Sequence, residues 1–208
     1  MNRRGVFIVF EGIDGCGKDT HIEILSEKLK AMGFDIVMTY EPWESEEAAL
    51  VKKIAKEGSR EITPEDEADL YLLDRYKHVQ KVISPAINEG KIVLCNRYYY
   101  STMAYQGALG ADPLRIKEDN EKLVPLPDLV IMLKVGVEEG LRRIDARGKG
   151  ISIGYEQIDY LKKVSDIIYN IKGHIIKTID TERPYKFVAD EIFSESKKVI
   201  AEKMGFNK

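Results

Sequence analysis

The stretch Gly5-Val6-Phe7-Ile8-Val9-Phe10-Glu11-Gly12-Ile13-Asp14-Gly15-Cys16-Gly17-Lys18 decides the fold. Its first six residues form a continuously apolar run rich in β-branched and aromatic side chains, the pattern of a strand buried on both faces. Two glycines, Gly12 and Gly17, then bracket four residues before Lys18. From about Asp19 to Met32 the apolar positions Ile22, Leu25, Leu29 and Met32 recur at helical spacing, and Gly33 supplies a C-terminal stop. Strand, glycine-rich turn and helix in this order frame a phosphate-binding loop. A chain of this composition matches the bare motif by chance roughly 0.2 times, so the flanking strand and helix carry the assignment. In that setting consecutive backbone N–H groups of Gly12, Gly15, Cys16 and Gly17 converge on one concavity and the helix N-terminus adds positive potential. Lys18 then brings a mobile charge to the β and γ phosphates of a nucleotide. The residue after the lysine, where a Ser or Thr hydroxyl normally meets Mg²⁺, is Asp19, followed by Thr20. A carboxylate there repels a triphosphate unless a metal ion lies between them.

Working outward, Asp35 to Thr39, Lys91 to Cys95, Asp128 to Leu133 and His174 to Ile179 repeat the short apolar pattern. Helical spacing separates them. The alternation predicts an α/β fold with a parallel five-stranded sheet and helices on both faces. Helices are expected over Asp19 to Met32, Pro64 to Asn88 with a kink or stop at Pro85, Tyr98 to Gln106, Val137 to Ala146, Tyr155 to Ile171 and Pro184 to Lys203. The Gly148 to Gly154 stretch is the expected mobile loop. At 208 residues the chain is expected to be a single domain over 1–208. With 44% hydrophobic and 32% charged residues it has the material for a full core, which excludes a disordered chain. A net charge of −3 argues against binding to nucleic acid or anionic membrane through overall charge. The longest apolar run, around Leu129 to Leu133, is far too short to span a bilayer. Two cysteines cannot make a disulfide scaffold, and no leader-like N-terminal stretch is visible, so a cytoplasmic location is expected.

Three further clusters carry chemistry. Asn96-Arg97-Tyr98 ends a predicted strand, where residues of parallel sheets face the ligand crevice, so Arg97 can reach the phosphates of Lys18; position alone equally fits a surface arginine. Tyr71 and Arg75, four apart on a helix, can stack on a planar base and hydrogen-bond its edge, or can be ordinary helix packing with a snorkelling arginine. Arg142, Arg143 and Arg147, with Lys149, lead into the glycine-flanked loop, as a phosphoryl-facing lid or as a basic helix end. His21, His78, His174, Cys16 and Cys95 lack metal-ligand or nucleophile spacing, and Trp43 is expected to pack.

In this order the clusters resemble the thymidylate kinase family of P-loop nucleoside monophosphate kinases. Phe10 to Lys18 is similar to its N-terminal signature and Glu41-Pro42 to its glutamate-proline pair. Tyr71-Leu72-Leu73-Asp74-Arg75 resembles its aromatic-to-arginine helix, and Asn96-Arg97-Tyr98 its Asp-Arg-Tyr strand end. The most specific match is Ser101-Thr102-Met103-Ala104-Tyr105-Gln106-Gly107. Pro127-Asp128-Leu129, the Arg143 to Gly148 lid and Asp180-Thr181 with Arg183-Pro184 also fit.

The resemblance implies a P-loop NTPase-type fold with a short lid at about 143–154, and transfer of the γ-phosphoryl group of ATP to dTMP, with Mg²⁺, in a homodimer. It implies that Lys18 and the loop amides hold the ATP phosphates, with Asp14, Asp19, Thr20 and Arg143 close by, and that Arg147 meets the transferring group. Members with glycine at the Gly15 position take that charge from the lid. Tyr71 would stack on thymine, Arg75 and Thr102 would meet its polar edge, Gln106 would line the same site and Arg97 would hold the acceptor phosphate. Tyr105 would occupy the place of a ribose 2′-hydroxyl, and Asp14 would approach the 3′-hydroxyl. Three positions depart from the family pattern: Asp19 for Ser or Thr, Asn96 for Asp, and Tyr40-Glu41-Pro42-Trp43 for Arg-Glu-Pro-Gly. With a carboxylate at position 19 and a neutral amide at position 96, in place of a hydroxyl and a carboxylate, the formal charge of the pair is conserved; Asp19 then takes over the metal-facing role, or merely caps the helix N-terminus with Asn96 a tolerated substitution. Another kinase of the same fold, or a nucleotide-binding module without turnover, are the alternative readings.

Overall fold

The computed structural model describes residues 4–57, 62–146 and 155–205. Five strands, β1 (Val6–Glu11), β2 (Ile36–Tyr40), β3 (Ile92–Asn96), β4 (Leu129–Lys134) and β5 (Ile176–Asp180), form one sheet of order β2-β3-β1-β4-β5. All four pairings are parallel. The phosphate loop thus leaves the carboxyl end of the central strand, between β3 and β4, where the chain order reverses and ligands bind. Every residue of β1 is buried, as its unbroken apolar run requires. Alternation along β1 feeds two cores: Val6, Ile8 and Phe10 pack with Leu25, Leu29, Val188 and Ile192 on one face, while Phe7 and Val9 pack with Ile83, Tyr98 and Tyr99 on the other.

The helices are α1 (Lys18–Ala31), α2 (Glu46–Glu57), α3 (Pro64–His78), α4 (Ser84–Asn88), α5 (Tyr99–Gly107), α6 (Pro113–Leu123), α7 (Val137–Ile144), α8 (Tyr155–Asn170) and α9 (Tyr185–Met204). Gly33 ends α1 in the left-handed region at φ 89°, with its N–H bonded to Lys30 O at 2.9 Å. Sequence periodicity predicts neither α2 nor α6. In α6 only Ile116 and Asn120 are buried, too few for an apolar stripe, although Asp112 capping Leu114 N at 2.9 Å and Pro113 at the first position mark its start. The expected helical stretch from Pro64 to Asn88 is present, but its irregularity lies ahead of Pro85 rather than at it. Between α3 and α4, Val79–Ile83 widens into a π turn, and Pro85 lies within the first turn of α4. Proline lacks an N–H and crowds the carbonyl four residues back, so the wider turn just ahead of it accommodates both. Among the described residues no helix is long and apolar enough to cross a membrane.

Candidate active site

Gly12, Gly15 and Gly17 have φ values of 140°, 81° and 93°, in the left-handed region that favours glycine. A methyl group on Gly15 would lie 2.2 Å from the Gly140 carbonyl oxygen of α7, so helix and loop touch backbone to backbone. No side chain, arginine included, fits at that position. Lys18, 7% exposed, donates from Nζ to Gly12 O at 2.9 Å and Ile13 O at 3.2 Å. Burial first, and the charge of Arg97 second, push its pKa down. An arriving anion relieves both penalties.

Arg97 follows β3 in a left-handed backbone conformation, φ 73°, rare for a residue with a side chain. Glu11 holds that turn. Its carboxylate, fully buried at the end of β1, accepts Tyr98 N at 2.7 Å, Ser101 N at 3.1 Å and the Ser101 hydroxyl at 2.6 Å, at the N-terminus of α5. Burial pushes the Glu11 pKa up against the pull of Arg97. The Arg97 guanidinium donates to Ser101 Oγ at 2.8 Å and Asp14 Oδ1 at 2.6 Å and lies 5.2 Å from the Tyr105 ring centre. Partial burial raises the Asp14 carboxyl, but Arg97 and then Lys18 outweigh it, and its pKa falls below the usual value although the side chain is 60% exposed. Sequence reasoning missed Glu11 and Ser101. A carboxylate ending a wholly apolar strand was the available signal.

Beside this cluster lies a cavity of about 320 Å³ lined by Tyr71, Arg75, Thr102, Tyr105 and Gln106, with Asp14 and Arg97. Arg75 is 1% exposed, so the snorkelling alternative fails. Its Nε donates to Glu41 Oε2 at 2.7 Å, one terminal nitrogen to Asn120 Oδ1 at 2.7 Å and the other to Thr102 Oγ1 at 3.1 Å. Of five guanidinium N–H donors, these bonds use three. Asn120, which sequence spacing does not single out, is itself fixed by a bond from Nδ2 to Ile116 O at 2.7 Å. Tyr71 is half-buried, and burial followed by the nearby Glu67 pushes its hydroxyl up to about 12.

The two departures meet. Asn96 Nδ2 donates to Asp19 Oδ1 at 2.6 Å, while Asn96 Oδ1 is buried and accepts no hydrogen bond among the described residues. Both side chains line a second cavity of about 400 Å³ with Arg97, Glu23 and Tyr40. Thr20 is exposed on the first turn of α1. Tyr40, 46% exposed, donates its hydroxyl to Glu44 Oε1 at 3.1 Å. Arg143 donates to Glu139 Oε1 at 2.7 Å and to Thr181 O at 2.9 Å, which ties α7 to the loop after β5. Arg147 and residues 148–154 lie outside the described residues.

A sequence model of the Thymidylate kinase family matches residues 10–192. A thymidylate kinase of Desulfotalea psychrophila is 37% identical over 199 residues, covering 96% of this chain and 98% of its own. Probable thymidylate kinases of Pyrococcus horikoshii and Archaeoglobus fulgidus are 46% and 37% identical; the alignments cover 70% and 90% of this chain and 72% and 92% of theirs. A phosphate loop, an arginine at the adjacent strand end and a polar-edged cavity between them stand within the matched region, and the chain belongs to the thymidylate kinase family, nucleoside monophosphate kinases that phosphorylate dTMP to dTDP with ATP.

Proposed function

We propose that this chain transfers the γ-phosphoryl group of ATP to dTMP through one catalytic domain over residues 1–208, with 143–154 as its lid. The observation that carries the reading is the bridge made by Arg97, which contacts the phosphate-loop carboxylate Asp14 and also lines the base-sized cavity. Phosphoryl transfer asks the protein for positioning and charge more than covalent chemistry. Lys18, with the backbone amides of Gly12, Gly15, Cys16 and Gly17, cradles the ATP phosphates, Arg143 anchors the lid helix and Arg147 brings the lid charge. Arg97 holds the acceptor phosphate, and Asp14 orients the sugar. Tyr71 stacks on the base, whose polar edge meets Arg75, Thr102 and Gln106. The exposed apolar side chains Leu50 on α2 and Leu73 and Tyr76 on α3, two helices packed on each other, support a homodimer through that face. Buried free thiols at Cys16 and Cys95 and nucleotide substrates support a cytoplasmic location.

A coupled ADP-release assay across nucleoside monophosphates tests this function. Tyr105 is held by Arg97 and Asp14 at 3.4 Å each, so it cannot swing aside freely for a 2′-hydroxyl. The expected kcat/KM for dTMP exceeds that for UMP by about 10–100-fold. Equal values would point to a broader kinase.

The residues at the Asp19–Asn96 pair fit Mg²⁺, since a hard cation takes oxygen ligands and the buried Asn96 Oδ1, beside a carboxylate, has no hydrogen-bond partner among the described residues. When bound, the ion neutralises charge between the phosphates. Asp19 would hold it in place of the strand-end carboxylate of the family pattern. Asn96→Asp alone would set two carboxylates against each other across the present 2.6 Å bond. Asp19→Thr with Asn96→Asp should therefore recover much of what either loses, with a coupling of about 0.5–3 kcal/mol in kcat and in Mg²⁺-dependent nucleotide affinity by calorimetry. Strictly additive losses would remove Asp19 from the metal.

A further inference from the structure

Glu41, His78 and Cys95 form a buried trio whose potential ligand atoms all lie within 4.8 Å of one another. Its hydrogen bonds give it a role other than holding a metal. The Cys95 thiol is pushed up by burial and donates to Arg97 O at 3.1 Å. His78, with no exposed side-chain surface, meets Glu41 Oε1 through Nδ1 at 3.1 Å and Thr39 Oγ1 through Nε2 at 2.6 Å. A carboxylate only accepts, so Nδ1 carries a proton; in the neutral ring Nε2 then accepts from the Thr39 hydroxyl. The indole of Trp43 stacks on the imidazole at 5.4 Å and 15°, and the Trp43 backbone N–H is tied to Asp74 Oδ2 at 2.7 Å.

We infer that His78 is a positioning residue for base recognition: it fixes Glu41, and Glu41 fixes Arg75. The inference rests on the assignment of the 320 Å³ cavity to the acceptor base. Glu41 and Arg75 are an ion pair with side chains 3% and 2% exposed, and such a pair holds its geometry only when its remaining atoms are hydrogen-bonded. Glu41 spends one oxygen on Arg75 and the other on His78. Without the imidazole, the second oxygen is buried and unpaired, the carboxylate turns, and Arg75 loses the anchor that aims its two unengaged N–H donors. Of His78 and the groups it touches, Thr39, Trp43 and Glu41, Glu41 is the one that lines the cavity, so the route from His78 to the base runs through it.

The test compares His78→Phe, which keeps the ring stack and removes both bonds, with His78→Asn, whose amide can replace the Nδ1 donor. His78→Phe should raise KM for dTMP by about 10-fold or more and narrow the preference for dTMP over dCMP, with kcat and KM for ATP within about two-fold. His78→Asn should restore most of both. Thr39→Val, which removes only the outer hydroxyl, should shift KM in the same direction by less, and it serves if His78→Phe does not fold. An unchanged dTMP KM and unchanged dTMP-to-dCMP preference in these variants would overturn the inference, as would parallel losses in both KM values, kcat and Tm. If the wild-type protein prefers another monophosphate, the dTMP assignment fails separately and the same KM comparison is made with that acceptor.

Discussion

Lys18→Ala is expected to lower kcat by about 10³-fold while the protein stays folded. The ammonium rests on two carbonyls of its own loop and is nearly excluded from water, so its charge is already placed and needs little reorganisation when phosphate arrives. A preorganised charge in a dry site acts most strongly where charge develops in the transition state, and loss of one such group costs roughly 10²–10³-fold or more. Burial and Arg97 disfavour the charged lysine in the free protein, so its removal should leave Tm unchanged or raise it. Turnover within about three-fold of wild type would remove Lys18 from the phosphates. Arg147→Ala, measured in the same way, is expected to show a comparable fall in kcat; near wild-type turnover would end its lid role.

Arg97→Ala should lower kcat/KM for dTMP by about 10³-fold if the guanidinium that joins Asp14 to the α5 hydroxyl of Ser101 also holds the acceptor phosphate, as proposed. Arg97→Lys should recover little, since a single ammonium cannot reproduce a forked set of bonds. Stability gives an independent readout. The Asp14 carboxyl lies below its ordinary pKa chiefly through Arg97 acting against partial burial. Its stabilising contribution is therefore complete above the ordinary carboxylate value and is lost as pH falls through the lowered one. The Tm gap between wild type and Arg97→Ala should be widest near neutral pH and shrink in acid. A kcat/KM unchanged in Arg97→Ala would place the acceptor phosphate elsewhere.

Much of this architecture is local, and local features are legible. The apolar runs fixed the five strands within one or two residues, and the helix stop at Gly33 follows from a left-handed residue that glycine alone takes cheaply. Asp19 and Asn96, singled out as paired departures from the family pattern, are hydrogen-bonded to each other. What stayed hidden is non-local. Thr102 stands beside Arg75 as the resemblance implies, but nothing near Tyr71 and Arg75 announces that Glu41 and Asn120, from two other parts of the chain, also hold the guanidinium. Helix α6 buries so few residues that its stripe vanishes among charges, while Pro85 announces an irregularity but not that it is a π turn just ahead of it.

That turn divides one helical column into two working halves. Tyr71 and Arg75 precede it and line the cavity, whereas Ala86 and Ile87 follow it and pack in the core with Phe7 and Val93. A helix advances about 100° per residue, so the surplus residue in the wide turn sets the angular phase between the halves. The wide turn takes up one surplus residue, so closing it to an ordinary α turn without losing a residue would leave both halves helical and the core half seated, yet swing Arg75 away from Glu41 by roughly a quarter of a rotation. The length of this segment and the width of its turn are therefore a matched pair, and neither changes cheaply without the other.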